Sequence, residues 1–418
     1  MKTDPRQLQI EHYDYPLPDE RIARYPLADR AEAKLLHYRH GTIDDRIFRE
    51  LPELLPPGTL LIGNSTRVIH ARLHFPLATG RSVEIFCLEP LLPADYAQSL
   101  SSTTGGVSWK CLIGGNRRWK KGRLALPVTL NGRTYPLYAD RLERTDDSFT
   151  VRFDWDAPGE VSFGELLEAA GTIPLPPYLG RQAEADDRQR YQTVFAEREG
   201  SVAAPTAGLH FTPEVMDRLR KNDIDFRTLT LHVGAGTFKP VTASTLGDHV
   251  MHREYFSVSI ELLRRIAEQI NQGLPIVSIG TTSMRCLESL FYLGVRGQVD
   301  GDWSGDLGQW VATEERFTRI GVVPALGALI KKLEDEESES YTGYTQLMLT
   351  PAARARVVNG LITNFHQPRS TLLLLVAAMV GDDWRAIYRH ALRSDYRFLS
   401  YGDSSLLWRR SAGTEQGD

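Results

Sequence analysis

Three cysteines in 418 residues are too few and too scattered to build a covalent scaffold. Cys87, Cys111 and Cys286 show neither the paired spacing of a zinc site nor that of a redox motif. They read as reduced structural thiols, and no metal is assigned. Long apolar runs are missing as well. The longest, Leu372 to Val380, is far too short to span a bilayer, and no basic segment leads into an apolar one near the N-terminus. A cytoplasmic location without membrane association is expected. Excess charge of one sign is also absent: a net charge of -4 demands no nucleic-acid partner, so any polyanion must be met by a local basic patch. There is no internal repeat.

What is present is an ordinary globular composition, 42% hydrophobic and 24% charged, over a length that favours two or three domains. The first segment, to about residue 75, joins a Pro-punctuated entry to an apolar strand, Thr59 to Gly63. From about 76 to 158 the chain alternates short β-rich runs (Ser82 to Leu88, Ser108 to Ile113, Arg123 to Leu130, Ser148 to Phe153) with turns such as Asn131-Gly132. That stretch reads as a small antiparallel barrel or sandwich inserted into a main domain of residues 1–75 and 159–418. Ser162-Phe163-Gly164-Glu165 is a capping-box signature for a helix ending near Gly171. Strands and helices then alternate to the end, the pattern of an α/β domain, with helices at Pro213 to Lys221, Ile260 to Gln272 and Thr371 to Val380. The acidic block Leu333 to Ser340 is expected to be a solvated loop, and Ser411 to Asp418 a frayed tail.

Four polar turns in the second half are each wedged between a strand and a helix: Ala203 to Phe211, His232 to Phe238, Gly280 to Arg285 and Thr363 to Thr371. In an open α/β sheet ligands bind outside the carboxyl ends of the strands, where helix N-termini offer free N–H groups, so one shared pocket is expected. Strand alternation over Asp225 to Val233 puts Thr228, Thr230 and His232 on one face, ending at Gly234-x-Gly236. With Lys239 where a dinucleotide fingerprint has its third glycine, this is either a ligand loop or a tight turn. Thr281-Thr282-Ser283 can cap a helix Met284 to Leu290 and receive an anionic group; Arg285 and Glu288, three apart, can pair. The strand Leu361 to His366 and the Ser370 cap, standing before an almost wholly apolar helix, aim Asn364, His366, Arg369 and Ser370 at a ligand or leave His366 a satisfied structural group. His210 is another candidate, whereas His249 and His252 lack a third ligand at metal-like spacing. Asp403 follows an expected strand, Tyr396 to Ser400. Arg117, Arg118, Lys120, Lys121 and Arg123 surround Trp119, which suits a phosphate backbone with a stacked base, or a solvated turn. Arg385, Arg389, His390, Arg393 and Arg397 form a second basic set.

Taken together the chain resembles the S-adenosylmethionine:tRNA ribosyltransferase-isomerase family of queuosine biosynthesis. The resemblance rests on Ile22 to Leu27, Thr66 to Leu73, Gly171 to Tyr178, Asp187 to Phe195, Ala203 to Phe211, His232 to Phe238, Gly280 to Ser283, Leu361 to His366 and Ser400 to Asp403. It implies a main mixed α/β domain carrying an inserted β-barrel. It also implies an enzyme that transfers and isomerises the ribosyl part of S-adenosylmethionine onto 7-aminomethyl-7-deazaguanine in a tRNA anticodon stem-loop. Epoxyqueuosine-tRNA forms, and adenine and methionine leave. S-adenosylmethionine is then a substrate; no prosthetic group or metal is expected, and a monomer is.

Such chemistry needs a base for a proton activated by the sulfonium, an acid for adenine departure and a dock for the amino-acid end. On the resemblance, His210, His232, His366 and Asp403 are the catalytic candidates. Thr206, Gly208, Gly234, Gly236, Thr281, Thr282, Ser283, Arg285, Asn364, Arg369 and Ser370 are the substrate-binding candidates, and Arg117, Arg118, Lys120 and Lys121 those for RNA. The chain departs from the family pattern at Asn64-Ser65-Thr66-Arg67, where an aspartate is usual, at Ala31-Glu32-Ala33-Lys34, and at Pro351-Ala352. These departures leave two rivals: a paralogue using S-adenosylmethionine with another deazapurine, nucleoside or RNA acceptor, and a non-catalytic RNA-binding module.

Overall fold

The computed structural model describes residues 4–145, 147–156, 159–234 and 243–410. Gly236, the expected frayed tail Ser411 to Asp418 and residue 158 at the edge of the expected insertion lie outside the described residues. The runs Leu60–Asn64, Ile276–Ile279 and Gly360–Asn364 are buried throughout, as strands inside a parallel sheet must be. With Asp225–Leu231 they lie side by side and parallel at the centre of a mixed sheet. Antiparallel pairs extend it: Glu254–Ser259 and Ser340–Thr345 beyond Asp225–Leu231, and Ser404–Trp408 beside Gly360–Asn364. Alternation along Leu60–Asn64 feeds two layers, Leu60 and Ile62 packing with Leu287 and Leu374, and Leu61 with Phe211 and Val215.

A second sheet takes the strands Arg72–Pro76, Ser82–Leu92, Val107–Gly114, Phe149–Trp155, Arg133–Arg144 and Leu124–Leu130 in that order, all antiparallel. Its first and last strands approach each other, so it is nearly closed. The α/β class with a small antiparallel barrel therefore holds. Asn131 and Gly132, both at positive φ (51° and 80°), make the tight turn between Leu124–Leu130 and Arg133–Arg144. The helix Phe163–Ala170 starts with the full Ser162/Glu165 capping box, and its Phe163 packs against Phe153 and Trp155. The chain leaves this unit beside the point where it entered, with Arg72 and Thr172 exchanging backbone hydrogen bonds of 3.3 and 2.9 Å. Gly171 allows this approach, because a Cβ there would lie 1.9 Å from the His70 carbonyl oxygen.

Three local expectations are corrected. Tyr396 to Ser400 is not a strand: Tyr396 and Phe398 alternate because both pack on Phe365, but Leu399 at φ 68° turns the chain, and the last strand is Ser404–Trp408. The helix expected at Met284 to Leu290 spans Thr281–Asp300, with Gly280 rather than a threonine or serine as N-cap. The acidic block is solvated as expected, but the loop is only Glu336 to Glu339: Leu333 to Asp335 finish the helix Val322–Asp335, and Ser340 opens a strand.

Candidate active site

A cleft of about 1420 Å³ separates the carboxyl edge of the parallel strands from the barrel. Segments of all four polar turns line it: Ala203 to Ala207, His232 to Gly234, Gly280 to Thr282, and Thr363 to Gln367 with Ser370. Three of them follow the central strands Asp225–Leu231, Ile276–Ile279 and Gly360–Asn364 directly, so parallel pairing alone brings them together. The fourth follows Arg198–Ser201, a strand of a separate two-stranded ribbon with Thr66–Val68.

His232 lies face to face with Tyr96 of the barrel-side helix Tyr96–Ser101, ring centroids 4.0 Å apart and planes 2° from parallel. Burial lowers its pKa to about 4, the Gly200 backbone opposing the shift only in part. Gly200 is small for this reason: a Cβ there would meet the His232 ring at 2.6 Å and the Tyr96 ring at 2.7 Å. His366 is pushed down to about 3 by burial, and its Nε2 lies 2.9 Å from the Thr363 hydroxyl. The neutral forms of both rings are therefore the ones present at physiological pH. The Thr206 hydroxyl donates to Asn364 Oδ1 at 3.0 Å, tying two of the turns together.

Two strands from Asp225–Leu231 along the same edge, Gly280 at φ 86° and ψ 152° starts the helix Thr281–Asp300 with no side-chain cap, so the first turn at Thr281 and Thr282, which lines the cleft, leaves backbone N–H groups for a ligand. Ser370 caps the helix Thr371–Val380 on the same cleft, accepting from the Leu373 N–H at 3.2 Å. Arg285 lines the floor. Its expected partner Glu288 is taken elsewhere, accepting the N–H groups of Arg356, Val357 and Val358 at 2.8, 3.0 and 3.0 Å. Arg285 pairs instead with Glu254 at 2.8 Å, the side chains 5% and 1% exposed. Among the described residues no cluster of three His, Cys, Asp or Glu could hold a metal ion, and no helix is long and apolar enough to cross a membrane.

A family model described as queuosine biosynthesis protein matches residues 10–407. The chain belongs to the queuosine biosynthesis protein family. Curated relatives named S-adenosylmethionine:tRNA ribosyltransferase-isomerase include one from Xanthomonas oryzae pv. oryzae, 38% identical over 97% of this chain and 98% of its own length. Others come from Pelobacter propionicus, 38% identical over 95% and 99%, and Thermotoga petrophila, 36% identical over 96% and 100%. A crystal structure titled S-adenosylmethionine tRNA ribosyltransferase, from Thermotoga maritima, is 29% identical, covering 94% of this chain and 99% of that one at a TM-score of 0.45.

Several residues singled out from the sequence sit outside the cleft of this queuosine biosynthesis protein. His210 turns into the interior behind the first polar turn, its Nε2 2.8 Å from the Gly402 carbonyl oxygen and its Nδ1 3.3 Å from that of Ala207. Asp403 accepts from the backbone N–H groups of Lys34 and Arg397, at 3.1 and 2.7 Å, and from the Arg397 guanidinium at 3.1 Å. Gly208 packs under Phe195 and Thr193. Ser283 is fully buried one residue beyond the cleft lining, and Arg369 is exposed beside Asp14 at 3.5 Å. In the basic cluster Arg117, Arg118, Lys120 and Lys121 are exposed, but Trp119 is 2% exposed under Arg141, so its ring is closed to a stacked base. The second basic set is largely paired: Arg385 with Asp382, His390 with Asp45, and Arg397 with Asp403.

Sequence reasoning missed the opposite wall. Arg72, Glu84, Glu89, Asp95, Tyr96 and Lys110 line the cleft from the barrel side, and Arg253, Tyr255 and Tyr344 from the sheet's antiparallel edge. The alternation in Glu254–Ser259 and Ser340–Thr345 was a usable signal for Tyr255 and Tyr344, which are register partners. Nothing local marked the barrel residues.

Proposed function

We propose that this chain is an S-adenosylmethionine:tRNA ribosyltransferase-isomerase. It moves and isomerises the ribosyl part of S-adenosylmethionine onto 7-aminomethyl-7-deazaguanine in a tRNA anticodon stem-loop, leaving epoxyqueuosine-tRNA, adenine and methionine. Residues 76–158 act as an inserted unit that supplies one wall of the site, and the protein works as a cytoplasmic monomer. The observation that carries the reading is the convergence of four polar turns on one cleft of about 1420 Å³. Pockets for single small ligands measure roughly 300–1,000 Å³, so this larger space suits a nucleoside donor together with an acceptor base.

Within that cleft the anionic amino-acid end of the donor fits the N-terminus of Thr281–Asp300, where backbone N–H groups lie free of a side-chain cap and Arg285 of the same helix lines the cleft. Thr206 and Asn364, already bonded to each other, offer hydroxyl and amide groups to a sugar or base. His232 and His366 are held neutral, the form that can take a proton, while the burial that does so also weakens them as bases until substrate charge enters the site. His210 and Asp403 act behind the site, fixing the Ala203 to Ala207 turn and the Arg397 segment. Arg117, Arg118, Lys120 and Lys121 contribute phosphate contacts without base stacking.

The departures from the family pattern do not favour a changed acceptor. Ser65 is buried with its hydroxyl 3.2 Å from the Leu229 carbonyl oxygen, and neither it nor Ala31 lines the cleft. The test is adenine release from S-adenosylmethionine in the presence of tRNA carrying 7-aminomethyl-7-deazaguanine. Release that requires this tRNA and is lost in His232→Ala or His366→Ala supports the reading; donor binding with no release under any acceptor contradicts it.

A further inference from the structure

One wall of the cleft is a continuous run of rings. From the inner end, Tyr96 stacks on His232, His232 meets Tyr255 at 5.6 Å between centroids, and Tyr255 meets Tyr344 edge to face at 5.3 Å. The Arg253 guanidinium closes the run, 3.8 Å above the Tyr344 ring. All five side chains line the cleft. From the buried His232 outward exposure rises, Tyr255 and Tyr344 being half-buried and Arg253 exposed. Tyr255 and Tyr344 face each other across antiparallel strands, on the side opposite Phe256, whose ring is in the core.

Core packing alone does not account for this arrangement, because the outer rings line a wide cleft and end in a cation rather than an apolar plug. Nor is Arg253 a loose surface charge. Asp306 grips it twice, Nε to Oδ1 at 3.1 Å and Nη2 to Oδ2 at 2.9 Å, which fixes the guanidinium plane over Tyr344. A fixed plane of this kind is a pre-formed stacking surface.

We infer that Tyr255, Tyr344 and Arg253 form a stacking platform for the unpaired bases that flank the modified nucleotide in the RNA acceptor. Single-stranded RNA is recognised by splaying bases onto aromatic rings and arginine planes. The platform leads inward to His232, so the acceptor enters along this wall while the donor sits further along the strand ends, at the helix N-terminus by Thr281 and Thr282. The inference rests on the tRNA reading above and names the subsite for its acceptor.

The test separates the two. The full-length protein is assayed with an anticodon stem-loop RNA carrying the target base and 2-aminopurine at each flanking position in turn. In the wild-type protein the probe's fluorescence is quenched on binding. Tyr255→Ala and Tyr344→Ala are expected to lose the quenching and raise the RNA's KM roughly 10- to 100-fold, with the donor's KM little changed. Tyr344→Phe keeps the ring and should restore both readouts, whereas Arg253→Lys keeps the charge without the plane and should behave like Arg253→Ala. If wild-type protein releases adenine but the alanine variants keep the quenching and the RNA's KM, the platform is wrong and the function stands. A donor KM that rises in step with the RNA's would make these residues supports of the fold and overturn the inference. Failure of the wild-type protein to bind the stem-loop would overturn both.

Discussion

His232 and His366 lose their protons at about 4 and about 3 in the folded chain, against 6.5 when free, because the fold withdraws both rings from water. Below 6.5 the unfolded chain therefore binds more protons than the folded one. The stability that neutral rings contribute is fully present above 6.5 and is lost as pH falls toward about 4. Urea midpoints should drop steadily through that window, and His232→Gln should flatten the drop. Arg285 and Glu254 give a prediction of a different kind. Removing either leaves the other charge buried and alone, which costs about 3–5 kcal/mol. The double replacement Arg285→Met with Glu254→Leu should recover most of that loss in urea denaturation yet leave donor affinity impaired in calorimetry, since the guanidinium at the cleft floor is gone. His232 and His366 were legible in the sequence because each closes a strand-like run, alternating over Asp225 to Val233 and apolar at the start of Leu361 to His366. His210 was not: its turn coils as a short 3₁₀ helix, Thr206–His210, and carries the ring inward to the Gly402 carbonyl.

The carboxyl ends of the strands position the ligand-facing turns, and Gly280 shows how tightly. Its φ of 86° and ψ of 152° are open essentially to glycine alone, while a Cβ would touch nothing nearer than the Ala207 Cβ at 3.7 Å. Gly280→Ala should therefore cost about 1–3 kcal/mol through the backbone and not through crowding. Because the strain sits at the N-cap of Thr281–Asp300, it should also weaken donor binding more than a surface change of equal cost, which paired urea and calorimetric titrations would reveal. Elements with strong local signals were readable: the Ser162/Glu165 capping box, the helix Pro213–Lys221 and the apolar helix Thr371–Val380 all stand where residue chemistry put them. Tyr396 to Ser400 misled because aromatic alternation arises equally from packing around Phe365, and only the turn at Leu399 distinguishes the two.

At the scale of the molecule the site is a seam between two sheets, held by the Tyr96–His232 stack with Gly200 beneath it. Gly200→Ala would drive a methyl to 2.6 Å from one ring and 2.7 Å from the other, so it should depress turnover and the thermal midpoint together, as the barrel wall is pushed off the cleft. This seam was invisible from sequence, because no local pattern tells a barrel helix which strand end it will meet. The basic cluster around Trp119 drew attention instead, but its aromatic ring is closed by Arg141 and only its cations remain available. The central claim is that one cleft holds donor and acceptor together and couples ribosyl transfer to loss of adenine. It is tested most directly with S-adenosylmethionine labelled in the ribosyl carbons and tRNA carrying 7-aminomethyl-7-deazaguanine. The expected result is one label in epoxyqueuosine for every adenine released. Adenine released while the label stays off the tRNA, or RNA binding with no adenine at all, would contradict the account.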